Sequence, residues 1–497
     1  MEKKLGVKEL IIMGGALFSM HFGAACMLFP VQWGKDAGSA LWPVFIGVLL
    51  SGVILPFFGY LALVKGDGTF DTLCTKISPT AGTVFVAITI IVIGPLYMVP
   101  RMSAAAWASI VQITGLQTDS MIPVIIFSII YYIVTYWFVA NPGKVVDKIG
   151  SILFPILLVV VTAVIIKSLV TPISTEWAEP EITNSPIVYG FLEGYATADL
   201  QCALLFGIII VNGIRNAGIT GSAVNKNLIK IGIIGLGLLM VTILGHMIAG
   251  ANTGGTIDLT LSALYTQMVL ELWGPAGGIL FNIALVAAAL TTAVGAVAST
   301  SEMWVEITAK KESKWFTYKN FCILSCVLSC LVSFADLDTI VKVVGPVLDA
   351  CYPAAIVIAL YYCAVKSPYL PSNLSAAKWS AIAAFIISVM QLLARYSDMF
   401  DLDWTWITGP YNAMPLSAQG LAWVPVSVIV YIIVKLARKS KDPVLPESSD
   451  VEAIDAEEVE TVDTDVAEAV DAKEEEIEAV DTAAVGEIAE AAEEYGR

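Results

Sequence analysis

Charge is what this 497-residue sequence has least of. Asp, Glu, Lys and Arg together make up 14% of it, whereas 57% is hydrophobic and the mean hydropathy is +0.79. A soluble domain carries about a quarter charged residues on its surface, so this balance excludes one and leaves a polytopic membrane protein. Histidine is scarcer still, with only His21 and His246. The eight cysteines are scattered, nearly all inside apolar runs. Cys322, Cys326 and Cys330 share a helical face, but no histidine or acid lies among them, so packing accounts for them better than a metal. With so few ligands and no nucleophile–base pair on a loop, a membrane enzyme is disfavoured. Nor does the chain repeat the rings or filter segments from which channels build selectivity. A cleaved leader is not expected either: the first apolar run is too long for one and lacks a small-x-small cleavage motif.

The net charge of −17 is concentrated at one end. Between Lys441 and Arg497 lie 21 of the 44 acids but only 3 of the 27 bases; the other 23 acids and 24 bases nearly cancel. The acidity therefore describes a tail, residues 439–497, expected to be disordered or to dock on a basic rim, and says nothing of a substrate. Residues 1–438 form the membrane domain, and the expected surroundings are the lipid bilayer, with no nucleic acid and no obligate protein partner.

Apolar runs of spanning length occur at about 9–32, 41–64, 81–113, 121–140, 149–170, 187–213, 227–250, 271–308, 319–335, 338–365, 376–395 and 420–437. The sequence thus predicts an all-α protein of about twelve transmembrane helices. Alternate loops hold the lysines and arginines, among them Lys65, Lys76, Lys144, Lys148, Arg215, Lys226, Lys310, Lys378 and Arg438. The opposite set is acidic, with Glu176, Glu179, Glu181, Asp258, Asp398 and Asp403. The positive-inside rule then places both termini in the cytoplasm of a cell-membrane protein.

Two of these runs are poorly built for straight helices. In 9–35, Gly14, Gly15, Gly23 and Pro30 weaken the backbone, and Gly23 is followed by Ala24-Ala25. In 187–213, Gly190, Gly194 and Gly207 interrupt a segment that also carries Glu193, Thr197, Asp199 and Gln201. An acid near mid-bilayer costs at least about 2.5–3.5 kcal/mol on insertion scales and normally faces a cavity or a partner. Non-helical backbone at that depth is tolerated where it lines a cavity or is buried in protein. The two interrupted helices lie five spans apart and point in opposite directions. That pattern marks a 5+5 inverted repeat, about 9–170 and 187–365, with two extra helices at 376–395 and 420–437 and the site between the breaks. Asp199 and His21 are the titratable groups nearest the breaks and form a candidate proton-carrying pair; their structural alternatives are a helix cap and a hydrogen-bonded core histidine. Residues 287–302 are small and carry hydroxyls. Thr291 and Thr292 lie deep enough to ligate a hard cation or, equally, to bond to their own helical turn, while Ser299–Ser301 fit helix packing better.

Several motifs together resemble one family. Gly23-Ala-Ala-Cys-Met-Leu-Phe-Pro30, Gly94-Pro-Leu-Tyr-Met-Val-Pro-Arg101, Asn141-Pro-Gly-Lys144, Gly190-Phe-Leu-Glu-Gly-Tyr-Ala-Thr-Ala-Asp199, Thr292-Ala-Val-Gly295 and Pro346-Val-Leu-Asp-Ala-Cys-Tyr-Pro353 are similar to the branched-chain amino acid:cation symporters, a family with the leucine-transporter fold. The match runs over about residues 5–438. One departure is that Ala25-Cys26 stands where the family usually has Gly-Asn, so a side-chain amide is missing from the break. The resemblance implies a secondary active symporter for leucine, isoleucine and valine, with transported Na⁺ or H⁺ as coupling ion and no bound cofactor. The alternative is a same-fold carrier of another amino acid, amine or nucleobase. It further implies a substrate site at Phe22, Gly23, Ala24, Ala25, Cys26, Tyr97, Tyr195, Ala196, Thr197 and Asp199. The helix starting near Ala25-Cys26 would meet the substrate carboxylate, and carbonyls near Phe22 and Tyr195–Thr197 would accept from its ammonium. A sodium site is implied at Ser19, Phe22, Ala288, Thr291 and Thr292. Arg101, toward the outer end of the third run, either gates the access path or snorkels to the interface.

Overall fold

A computed structural model describes residues 5–66, 68–116, 120–182, 185–259, 261–309, 314–365 and 372–438, which are helices and connecting loops with no strand among them. The acidic stretch 439–497 lies outside the described residues. In chain order the helices are α1 (Val7–His21), α2 (Ala24–Ala37), α3 (Leu41–Leu49), α4 (Leu55–Gly66), α5 (Phe70–Ile77), α6 (Pro79–Ile91), α7 (Val99–Thr114), α8 (Ile122–Val139), α9 (Val145–Lys148) and α10 (Phe154–Val170). There follow α11 (Pro186–Ala196), α12 (Asp199–Asn216), α13 (Ser222–Ala251), α14 (Leu261–Trp273), α15 (Pro275–Thr308), α16 (Tyr318–Val332), α17 (Leu337–Ala364), α18 (Leu374–Met399), α19 (Thr405–Asn412) and α20 (Trp423–Ala437). Every predicted apolar run is helical. Nine helical stretches among the described residues are long and apolar enough to cross a bilayer, and α16 and α20 are shorter apolar helices.

Local chemistry explains the boundaries. Thr69, Thr317, Asp336 and Asn373 cap α5, α16, α17 and α18, their side-chain oxygens accepting backbone N–H groups of the first turn. Proline opens α6, α11 and α15, where its missing N–H costs nothing. The α3–α4, α6–α7 and α9–α10 stretches each run through a π-type turn, at Leu50–Ile54, Val92–Met98 and Ile149–Leu153; the second contains Pro95, which removes a helical donor. One boundary differs from expectation. The run from 271 does not join the eighth helix directly, because Gly274 at φ +65 and Pro275 end one helix and begin another. Apolar residues before it form the separate helix α14.

Small residues set the closest packing. A Cβ on Gly190 would lie 1.9 Å from the Val44 carbonyl oxygen, and one on Gly47 would lie 2.2 Å from that of Ile187. Helices α3 and α11 therefore meet backbone to backbone, the arrangement small residues permit inside a bilayer. Helix α12 packs on α4 and α15, and α1 packs on α15 and α12. The breaks after α1 and α11 are thus held by α15 and by each other.

Candidate functional site

The first break is two residues wide. Phe22 leaves the α1 helix at φ −78, ψ 71, and Gly23 is extended at φ −85, ψ −175, so α2 begins at Ala24, one residue earlier than expected. Glycine is required there by space. A Cβ on Gly23 would stand 2.6 Å from Thr292 Oγ1 on α15. In the second break Ala198 takes a left-handed conformation at φ 56, unusual for a residue with a side chain, and α12 starts at Asp199. Such strain persists where the surroundings over-determine it, often at binding sites.

Asp199 does not cap its helix; its carboxylate turns to the other break. Asp199 Oδ1 lies 3.1 Å from His21 Nδ1, and His21 Nε2 lies 2.9 Å from the Tyr60 hydroxyl on α4. With Nδ1–H donating to an ionised Asp199, Nε2 accepts from Tyr60; protonating the ring turns both nitrogens into donors and requires the Tyr60 hydroxyl to rotate. All three side chains are buried, and Phe206 stands edge-on to the imidazole at 5.2 Å between ring centroids.

Between the breaks lies a cavity of about 30 Å³. Backbone or side chains of Gly23, Ala25, Cys26, Ala196, Thr197, Asp199 and Thr292 line it, so the structure brings most of the expected substrate residues together. The remaining wall is the polar pair His21 and Arg101 together with Met20, Phe29, Met98, Met102, Cys202 and Phe206, which are apolar and rich in sulfur. That volume takes a water or two; an amino acid requires the walls to part, which flexible thioethers ease. Four expected residues are not on this wall. Ala24 is buried in the first turn of α2. Phe22 stacks on Phe18 and packs against His246. The Tyr195 hydroxyl accepts from Trp423 Nε1 and its ring lies against Tyr352. Tyr97 faces a second cavity instead.

That outer cavity, about 340 Å³, shares Phe29, Arg101, Ala196 and Thr197 with the inner one and adds Trp33, Tyr97, Glu193, Lys342, Asp349 and Arg395. Its charges are ordered: Trp33 Nε1 donates to Glu193 at 2.8 Å, and Arg395 pairs with Asp349. Arg101 stands in the wall between the two cavities, donating from Nη1 to the Tyr97 hydroxyl at 2.8 Å with its guanidinium 4.7 Å above that ring.

The candidate cation ligands gather beside the first break. Thr292 Oγ1 donates to the Met20 carbonyl at 2.9 Å, and Thr291 Oγ1 to the Ala288 carbonyl in its own helix at 2.8 Å. The Ser19 hydroxyl is fully buried with no hydrogen-bond partner among the described residues, a lone oxygen such as a hard cation satisfies. None of Met98, Met102, Cys202 and Phe206 is expected from sequence. A signal exists: Asp199, Cys202 and Phe206 are spaced i, i+3, i+7, and Met98, Arg101 and Met102 i, i+3, i+4, each a single helical face.

Comparison with known proteins agrees with this architecture. The family described as branched-chain amino acid transport protein matches residues 6–441. A Bacillus subtilis (strain 168) protein, branched-chain amino acid permease BraB, is 32% identical over 370 residues, covering 72% of this chain and 80% of that protein. A Staphylococcus aureus (strain bovine RF122 / ET3-1) protein with a provisional name as a branched-chain amino acid carrier is 30% identical over 445 residues, 86% of this chain and 96% of that one. Among solved structures, the nucleobase-cation-symport-1 family transporter Mhp1, closed with bromovinylhydantoin bound, superposes with a TM-score of 0.50 at 14% identity, over 89% of this chain and 95% of that one. This last likeness speaks to fold alone, and the fold is that of the leucine transporter.

Proposed function

The chain belongs to the branched-chain amino acid transport protein family, and from that premise we propose that it is a secondary active symporter which takes up leucine, isoleucine or valine together with a cation by alternating access. As a family member it is a multi-pass membrane transporter and not an enzyme. The observation that carries the finer reading is the pair of helix breaks facing one cavity, whose lining combines polar His21, Arg101, Thr197 and Asp199 with apolar Phe29, Met98, Met102 and Phe206. A zwitterion with an aliphatic side chain matches that combination. The first turn of α2 offers N–H groups and a positive dipole end to a carboxylate. Carbonyls freed at Phe22 and Ala196–Thr197 accept from an ammonium.

Two groups support a cation. Na⁺ would sit at Thr291, Thr292 and Ser19 with carbonyls near Ala288, Met20 and Phe22; the orphaned Ser19 hydroxyl favours it. A proton would be carried by the His21–Asp199–Tyr60 chain, in which each imidazole nitrogen has an oxygen partner. The two breaks, five spans apart, support an inverted repeat that rocks about the site, with both chain ends in the cytoplasm. Uptake of labelled leucine into proteoliposomes under an imposed Na⁺ gradient, and separately under a pH gradient, tests the proposal: the matching gradient drives accumulation, and failure of both sinks it.

A further inference from the structure

Among the described residues, ion pairs join His21 to Asp199 and Arg395 to Asp349. Arg101, between them, joins neither. It lines one cavity with Asp199 and the neighbouring one with Asp349. A guanidinium has five N–H donors and cannot shed its proton. Here one nitrogen, Nη1, donates to the Tyr97 hydroxyl, and Nε is shut away from solvent with no partner among the described residues. A guanidinium on the wall of the binding cavity inside a membrane domain, with no ion-pair partner among the described residues, is costly unless something anionic visits it.

We propose that Arg101 binds the carboxylate of the transported amino acid, sharing it with the first-turn N–H groups of α2. This rests on the amino acid transport proposed above and adds to it a specificity-determining side chain. Three observations converge. Arg101 lines the inner cavity alongside Gly23, Ala25 and Cys26, so a carboxylate at the α2 N-terminus lies on its side of the site. It also lines the outer cavity, so an arriving substrate meets it before the breaks close. And the Tyr97 ring and hydroxyl hold the guanidinium in place between the two cavities. Asp199 is already bonded to His21 at 3.1 Å, and among the described residues Arg101 forms no ion pair with it or with Asp349. Ala25-Cys26 brings no side-chain amide to the break, which leaves the arginine to supply the side-chain donor.

The test measures binding to the full-length purified protein of leucine, leucinamide and 4-methylpentanoate, which keep or lose the carboxylate and the ammonium in turn. Wild type should bind leucine well above leucinamide. In Arg101→Gln, leucine binding should weaken roughly ten- to hundredfold, the loss of a charge-assisted hydrogen bond, while leucinamide binding stays within a fewfold of wild type. Arg101→Lys, which keeps charge but not the fork, should fall between and is the variant to read if Gln does not fold. Equal losses for leucine and leucinamide, or unchanged leucine binding, would overturn the assignment. A wild type that binds no branched-chain amino acid would instead overturn the transport proposal on which it rests.

Discussion

Replacing Asp199 by Asn probes the pair that joins the two breaks. The amide is nearly isosteric and its oxygen can still accept from His21 Nδ1–H across the observed 3.1 Å. What is lost is charge. A hydrogen bond to a charged group contributes about 1.5–3 kcal/mol and a neutral one about 1, so the fold should weaken by roughly 1–2 kcal/mol and survive. Transport is affected differently. A 100 mV potential stores about 2.3 kcal/mol per charge, enough for about 50-fold accumulation of a zwitterion moved with one cation. If Asp199 and His21 carry the coupling ion, concentrative uptake should fail in the variant, because the return of the empty, cation-free carrier is blocked. Exchange of internal for external leucine needs no such return and should persist. The assay is paired: accumulation under an imposed gradient and counterflow in the same proteoliposomes. Fifty-fold accumulation by the Asn variant would refute coupling at this pair and leave the threonine site as the cation site.

Thr292→Val keeps the volume but removes the oxygen now bonded to Met20, so half-maximal uptake should need at least about tenfold more Na⁺, the cost of removing one oxygen ligand from a charged ion; an unchanged Na⁺ dependence shifts the site to Thr291. Gly190→Leu drives a side chain into the Val44 backbone and should cost more than about 3 kcal/mol of stability, beyond ordinary overpacking, seen as loss of folded protein in detergent; a normal melting profile contradicts the backbone contact of α3 with α11. A cysteine placed at the exposed Glu179 should react with an impermeant thiol reagent in intact cells and one at the exposed Lys319 should not; the reverse pattern inverts the topology.

Much of this is legible in the sequence because glycine and polar residues inside apolar runs have few uses. Gly23 locates the first break, but Gly190, Gly194 and Gly207, expected to interrupt the second segment, lie inside α11 and α12, and that break falls at Thr197-Ala198 instead. Sequence alone starts the second half-helix one or two residues late, because nothing in Ala24-Ala25-Cys26 distinguishes a cap from a first turn. Helix α14 does not stand out as a separate element: Leu261–Trp273 is apolar and abuts the next run, and only the Gly274-Pro275 step divides them. The apolar wall is illegible for a different reason. Met98, Met102, Cys202 and Phe206 are chemically the same as lipid-facing or core residues, and what singles them out is the helical face they share with Arg101 and Asp199. Tyr60 carries no sequence signal, because its bond to His21 joins residues 39 apart through packing alone. Tyr97, expected on the substrate wall, stands outward of it against Arg101.

The central claim is that the cavity between the two breaks carries a branched-chain amino acid together with a cation. It is tested most directly by loading proteoliposomes of the full-length protein with unlabelled leucine, isoleucine, valine and a panel of other amino acids, amines and nucleobases, and following labelled leucine with and without Na⁺ and across pH. Counterflow should occur with the three branched-chain amino acids and little else, and an inward cation gradient should raise leucine inside above its level outside. Counterflow with an amine or nucleobase in their place, or leucine that only equilibrates under every imposed gradient, would contradict it.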